Sequence, residues 1–275
     1  MTSQQSDPSP RQVKLLEPLL FYDIPGKRNG AKAWSPNTWK TRYTLNIKGI
    51  PYKTIWVEYP DIQPLMKKIG ALPPHTNEDG SPLYTLPAIY DPNTKTALAE
   101  SNAIVRYLDK TYPAIGPRLI PAEMDALHAA FRRAFGSALG DNTGYVMIPA
   151  TVHNLRPRSE AFFRPDREAS FGEKLEDISP PGPKREKYWS GVRKGFETMA
   201  QWLEADGTDK LFFTGDTIAF ADITVAGVLT WVKYILGTDS EEWADMKTWC
   251  GGRWARFMEA FEQYQAVDVG EEALL

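Results

Sequence analysis

The sequence predicts a mixed α/β domain followed by an all-helical domain. Three observations carry that expectation. Short apolar runs alternate with helically spaced segments from residue 19 to about residue 110. Strand signals largely vanish after residue 121. A proline-containing stretch, residues 113–121, separates the two regions. A chain of 275 residues has room for two domains.

Residues 1–14 are polar and read as a disordered leader. Residues 19–24 form a short apolar run ended by Pro25-Gly26, the pattern of a buried strand. Trp39, Tyr43 and Ile47 recur four apart, so residues 36–48 read as a helix closed by Gly49. Residues 52–59 are aromatic and β-branched, a second strand. A short helix follows over 62–69, then a polar loop to about Ser81. Residues 86–90 and 97–99 are strands joined by an Asp-Pro-Asn turn, and Ser101 opens a helix carrying Ile104, Val105 and Leu108. Strand, helix, strand, helix, strand, strand, helix is the order of a thioredoxin-like domain with a four-stranded mixed sheet. We place that domain at residues 15–115 and an all-α domain at 122–275. Within the latter, residues 122–139, 187–205, 220–236 and 253–264 read as helices. Residues 141–158 look like loop, and Pro165 interrupts a helical stretch over 159–175.

Bulk properties exclude several functions. A net charge of −3 argues against general nucleic-acid binding, which leaves a basic face. Cys250 is the single cysteine, so neither an internal disulfide nor a Cys-rich zinc site can form. His75, His128 and His153 are too scattered to suggest a metal cluster, so no metal is expected. No run of about 18 apolar residues exists, and the N-terminus lacks signal-peptide character. These features together point to the cytoplasm. Nine Trp residues either fill cores or line a pocket for flat organic ligands.

Three short features sit at element ends. Ser35-Pro36 is a favoured N-cap and first helical residue. Ser35 either caps the helix or presents its hydroxyl to a thiolate held at the helix N-terminus. A thiol of pKa about 8.5 needs lowering by roughly two units to be mostly ionised at neutral pH, which a hydroxyl donor and a helix end can supply. Leu86-Pro87 marks a strand start, or a cis-proline that turns the Leu86 backbone outward to pair with an extended peptide. Glu100-Ser101 opens a helix. Ser101 either caps it, or holds an α-carboxylate while Glu100 takes the adjacent α-ammonium.

Their order and spacing resemble the glutathione transferase family over nearly the whole chain from residue 19. That pattern is a catalytic Ser, Tyr or Cys after the first strand, a cis-proline before the third, and an acid-serine pair opening the third helix. Ser35, Pro87 and Glu100-Ser101 match in turn. The run Ser35-Pro36-Asn37-Thr38-Trp39-Lys40-Thr41-Arg42 is similar to a signature of the fungal FuA class and of bacterial lignin β-etherase-type enzymes. So is Phe163-Arg164-Pro165-Asp166-Arg167-Glu168, apart from its proline. Gly215 to Asp222 resembles the family's buried capping motif, with Ala219 where Ser or Thr is usual.

The resemblance implies the cytosolic glutathione transferase architecture, glutathione as co-substrate and a homodimer. Ser35 would stabilise the glutathione thiolate, with Asn37 supplying a second donor. Leu86, Pro87, Glu100, Ser101 and His75 would bind glutathione. Trp34, Tyr145 and Met147 would line a site for hydrophobic, aromatic electrophiles. Conjugation, peroxide reduction and ether cleavage are all open to such a thiolate. The alternative is a non-catalytic ligandin that stores polyphenolic aromatics. Cys250 lies far from the motif in sequence and reads as a core or surface thiol rather than a nucleophile.

Overall fold

A computed structural model describes residues 16–274; the expected leader, residues 1–14, lies outside them. The described chain runs β1 (Leu19–Asp23), α1 (Pro36–Lys48), β2 (Tyr52–Trp56), α2 (Ile62–Ile69), β3 (His75–Thr76), β4 (Pro82–Leu83), β5 (Ala88–Asp91), β6 (Thr96–Ala99) and α3 (Ser101–Thr111). It continues with α4 (Asp125–Leu139), α5 (Asn142–Val152), α6 (Pro157–Phe171), α7 (Leu175–Ile178), α8 (Pro183–Leu203), α9 (Phe220–Leu236), α10 (Glu241–Phe261) and β7 (Glu271–Glu272).

The thioredoxin-like sheet is present, in the order β6-β5-β1-β2-β7. β1 runs parallel to β2 with Leu19 opposite Tyr52, and antiparallel to β5 with Phe21 opposite Ile89. Leu19, Phe21 and Ile89 pack with Leu45 of α1 and Ile104 and Leu108 of α3. Tyr22, the alternate residue of β1, belongs instead with Ile62, Leu65 and Met66 of α2. α1 ends at Gly49, whose φ of 69° is the left-handed geometry a side chain disfavours.

The fifth strand was not visible in the sequence. After α10 the chain returns to the first domain and adds β7, parallel to β2, at the sheet edge. Thr54 donates its N–H to Asp268 Oδ2 at 2.8 Å and its hydroxyl to Asp268 Oδ1. Trp56 Nε1 donates to the Val269 carbonyl at 2.9 Å. Arg156 grips Glu272 with two bonds of 2.8 and 3.0 Å. The tail thereby covers the backbone edge that β2 would otherwise expose.

The helical domain departs from expectation in three places. Residues 142–152, expected as loop, form α5. Gly144, Pro149 and several scattered β-branched residues give that segment poor intrinsic propensity, and it is helical because it is packed among α8 and α9. α6 runs through Pro165 rather than stopping there. Arg164 pairs with Glu160, Glu168 and Glu176 at 3.2, 3.2 and 2.7 Å, tying together the turns on either side of the proline. α10 begins at Glu241, well before the expected residue 253, with a non-helical break over Trp249, Cys250, Gly251 and Gly252.

Asp222 caps α9 as the family motif implies. It accepts N–H bonds from Phe213 and Ala219 at 2.9 and 2.8 Å, while Ala219 has no side-chain acceptor to return.

The tail makes a direct prediction. Asp268→Ala removes the acceptor for two Thr54 donors and for Arg42 Nη1. Urea unfolding should show a loss of roughly 1–3 kcal/mol. An unchanged midpoint would mean the tail docks through its strand bonds and the Trp56–Val269 and Arg156–Glu272 contacts, without help from Asp268.

Candidate functional site

α1 places its N-terminus where the two domains meet. Ser35 holds the N-cap position with extended geometry (φ −66°, ψ 129°) and is only 5% exposed. Its carbonyl accepts from Trp39 N–H at 3.0 Å and from the Thr38 hydroxyl at 3.1 Å. Its own hydroxyl makes no capping bond, contrary to the simple capping expectation. The helix N-terminus and a free hydroxyl therefore open together onto the same space.

Two cavities meet there. A larger one, about 770 Å³, runs between α2, the segment before β5 and α6, and includes Ser35, Asn37, Gln63, Lys67, Leu86 and Arg167. A second, about 370 Å³, lies between α1 and helices α4, α5, α6 and α9. Ser35, Asn37, Tyr59 and Arg167 line both, so the cavities form one cleft with Ser35 at the junction.

The Leu86–Pro87 peptide bond is cis. Leu86 lines the larger cavity, and neither its N–H nor its C=O has a hydrogen-bond partner among the described residues. Just behind it, the Pro87 carbonyl accepts from Glu100 N–H at 3.1 Å, which ties the start of α3 to the same strand opening.

Glu100, not Ser101, is the N-cap of α3. It sits at φ 80°, a conformation rare for a non-glycine residue. Its carboxylate accepts from Asn102 N–H at 3.0 Å, Ala103 N–H at 3.1 Å and the Asn102 amide at 2.6 Å. Ser101 is the first helical residue, and its hydroxyl donates to Glu100 at 3.3 Å. Burial pushes the Glu100 pKa up, but the donors from Asn102 and Ala103 outweigh it and hold it below the usual value. A cation is thus offered an ionised carboxylate beside a helix N-terminus.

Lys40 was not among the expected site residues. It lies one turn beyond Pro36, lines the second cavity, and donates to Asn37 Oδ1 at 2.9 Å. That bond occupies the amide oxygen and leaves the Asn37 NH₂ as the free end. Burial pulls the Lys40 pKa down to about 8, against Glu100, which raises it, and with Arg132, which lowers it further.

The remaining expected residues divide. Trp34 lines the second cavity. Tyr145 and Met147 do not: Tyr145 stacks on Tyr188 at 4.6 Å, and Met147 is buried in the core. The face of α5 turned to the cavity carries Thr143, Gly144, Ile148 and Thr151 instead. His75 is exposed on β3 and lines neither cavity, although its hairpin neighbours Asn77 and Leu83 line the larger one. Phe135, Phe163 and Trp231 complete the second cavity; Phe163 stands in the quoted motif, and Phe135 and Trp231 fall within expected helices, none with a role assigned. Arg167 fell within a quoted motif without a role.

Among the described residues, no group of three or more His, Cys, Asp or Glu could hold a metal ion. No described helix is long and apolar enough to cross a membrane. A separate apolar pocket of about 190 Å³ lies beside His128, whose pKa burial lowers to about 4.

Lys40 supplies a stability test. Its native pKa near 8 lies below its ordinary 10.5, so between these values the unfolded chain binds a proton that the native chain does not. Native stability therefore rises with pH across that window. Lys40→Met should stabilise the fold at pH 7, and denaturant midpoints should show that gain shrinking from pH 8 to 10.5. A gain independent of pH would contradict a partly desolvated cation at Lys40.

Comparison with known proteins follows the same division of the chain. Residues 34–111 match the glutathione S-transferase N-terminal domain, and residues 126–264 the glutathione S-transferase C-terminal domain. The chain is 30% identical over 260 residues to the glutathione S-transferase-like protein ustS of Aspergillus flavus, covering 90% of this chain and 91% of that one. The glutathione S-transferase CsGST63524 of Ceriporiopsis subvermispora, crystallised with glutathione, is 56% identical with a TM-score of 0.90, over 92% of this chain and all (100%) of that one. Glutathione transferase GSTFuA3 of Phanerochaete chrysosporium is 42% identical with a TM-score of 0.87, over 92% and 100%. With both domains matched and with fungal structures this similar, the chain belongs to the glutathione S-transferase family.

Proposed function

We propose that the chain is a serine-type glutathione transferase acting on aromatic electrophiles. The observation that carries this is the unused Ser35 hydroxyl at the N-terminus of α1, at the junction of a polar and an aromatic cavity. In this reading glutathione occupies the larger cavity and reaches past Leu86 to the start of α3, whose Glu100 and Ser101 line neither cavity themselves. The free N–H and C=O of Leu86 pair with its backbone as an added strand would. Its γ-glutamyl carboxylate meets the start of α3 at Ser101, and its ammonium meets Glu100. The thiol then lies at Ser35.

The chemistry is differential stabilisation of the sulfur anion. The Ser35 O–H and the Asn37 amide donate to the thiolate, and the α1 N-terminus adds partial positive charge. Each favours the charged over the neutral sulfur, so the thiol pKa falls. The second cavity holds the electrophile near the sulfur and raises its effective concentration. Attack forms the thioether and expels the leaving group; peroxide reduction and ether cleavage draw on the same thiolate. A cytoplasmic homodimer, implied by the family resemblance, belongs to this reading.

Ser35→Ala tests it. The lost charge-assisted bond of roughly 1.5–3 kcal/mol corresponds to about a 10- to 100-fold fall in conjugation at neutral pH. Ultraviolet absorbance of the bound thiolate should show its pKa rising, while glutathione still binds. Unchanged turnover and thiolate absorbance would move the chemistry to Asn37 or to a backbone N–H.

A further inference from the structure

The second cavity has lopsided polarity. Its walls are aromatic, with Phe135, Phe163 and Trp231. Two cationic side chains, Lys40 and Arg167, line it, and no Asp or Glu does among the described residues. Three buried polar atoms without hydrogen-bond partners belong to its lining residues: Trp34 Nε1, Thr143 Oγ1 and Arg167 Nε. The indole and guanidinium groups can only donate, and the threonine hydroxyl can donate as well. Another donor on the same wall, Trp231 Nε1, is satisfied by Thr151 Oγ1 at 2.9 Å, so the deficiency is local.

Arg167 is the most specific of these groups. Its guanidinium lies over the Phe163 ring, 5.0 Å from the centroid. Its Nη1 contacts the adjacent Asp166, an exposed residue that lines the larger cavity, at 3.3 Å. That leaves Nε and Nη2, the side-on edge of the fork, without a partner among the described residues. Two parallel N–H donors on one edge match the two oxygens of a carboxylate, and a ring held against the aromatic walls would point one at them.

We infer that the second cavity selects aromatic carboxylates, with Arg167 reading the carboxylate from the edge formed by its Nε and Nη2. The inference deepens the transferase reading by naming the class of its second substrate, and rests on that reading for the glutathione beside it. Arg167 also lines the larger cavity, so the rival occupant of its free edge is a carboxylate of glutathione itself.

The test uses a pair of ligands equal in shape and different in charge. Biphenyl-4-carboxylate and biphenyl-4-carboxamide are titrated into the full chain at saturating glutathione, following quenching of the cavity tryptophans. The carboxylate should bind at least about tenfold more tightly. Arg167→Gln should remove most of that preference, leaving only what Lys40 contributes, with carboxamide binding intact, and Arg167→Lys should retain a larger part of it. Kinetics with 4-chloro-3-nitrobenzoate and its amide, each referred to its uncatalysed rate with glutathione, should show the same preference in kcat/KM. Equal affinity for acid and amide would overturn the inference. So would an Arg167→Gln variant that keeps its acid preference but binds glutathione more weakly. Retained acid preference without turnover would instead sink the transferase reading and leave this inference standing.

Discussion

Everything in the cleft depends on how α1 is held. This helix is held from both sides. On the sheet side Arg42 donates to Asp23 Oδ2 at 2.8 Å, with both side chains fully buried. On the helical side the hydroxyls of Tyr43 and Thr230 share a hydrogen bond of 2.8 Å. Gly227 of α9 lies against the first turn of α1, where an added Cβ would fall 2.7 Å from the Pro36 carbonyl oxygen. Only a residue without a side chain allows that approach. Ser35 is therefore positioned by two domains at once, and its hydroxyl is left free for a ligand.

The charges around this fixed point are arranged to complement an anion and its neighbouring cation. The α1 N-terminus and the Asn37 amide offer donors, and Lys40 spends one of its own bonds on orienting that amide. Glu100 is kept ionised by the backbone it caps. A half-buried ammonium loses part of its hydration, and the lowered pKa of Lys40 reflects that loss. The C-terminal tail adds to the clamp from outside, because Asp268 reaches Arg42 as well as Thr54.

Much of the first domain was legible because its signals are local. Pro25-Gly26, Gly49 and Gly70 end elements by backbone chemistry, and Tyr52 to Trp56 has strand composition. The motif around Ser35 was legible for the same reason. Long-range pairing was not. β7 carries two glutamates and becomes a strand only because β2 offers an edge. α5 lacks an amphipathic pattern since it is buried among other helices. Its pocket-facing residues then could not be chosen, and Tyr145 and Met147 were taken where Thr143 and Ile148 face the cavity. Arg167 was visible as a letter in a motif, but its meaning comes from Phe163 beneath it and from the cavity beside it.

The most direct measurement is a crystal structure of this chain with glutathione bound. The account predicts the sulfur within hydrogen-bonding distance of Ser35 Oγ, with the cysteinyl backbone paired to Leu86 and the γ-glutamyl end at Glu100 and Ser101. Glutathione seated elsewhere, or a sulfur turned away from the start of α1, would contradict it.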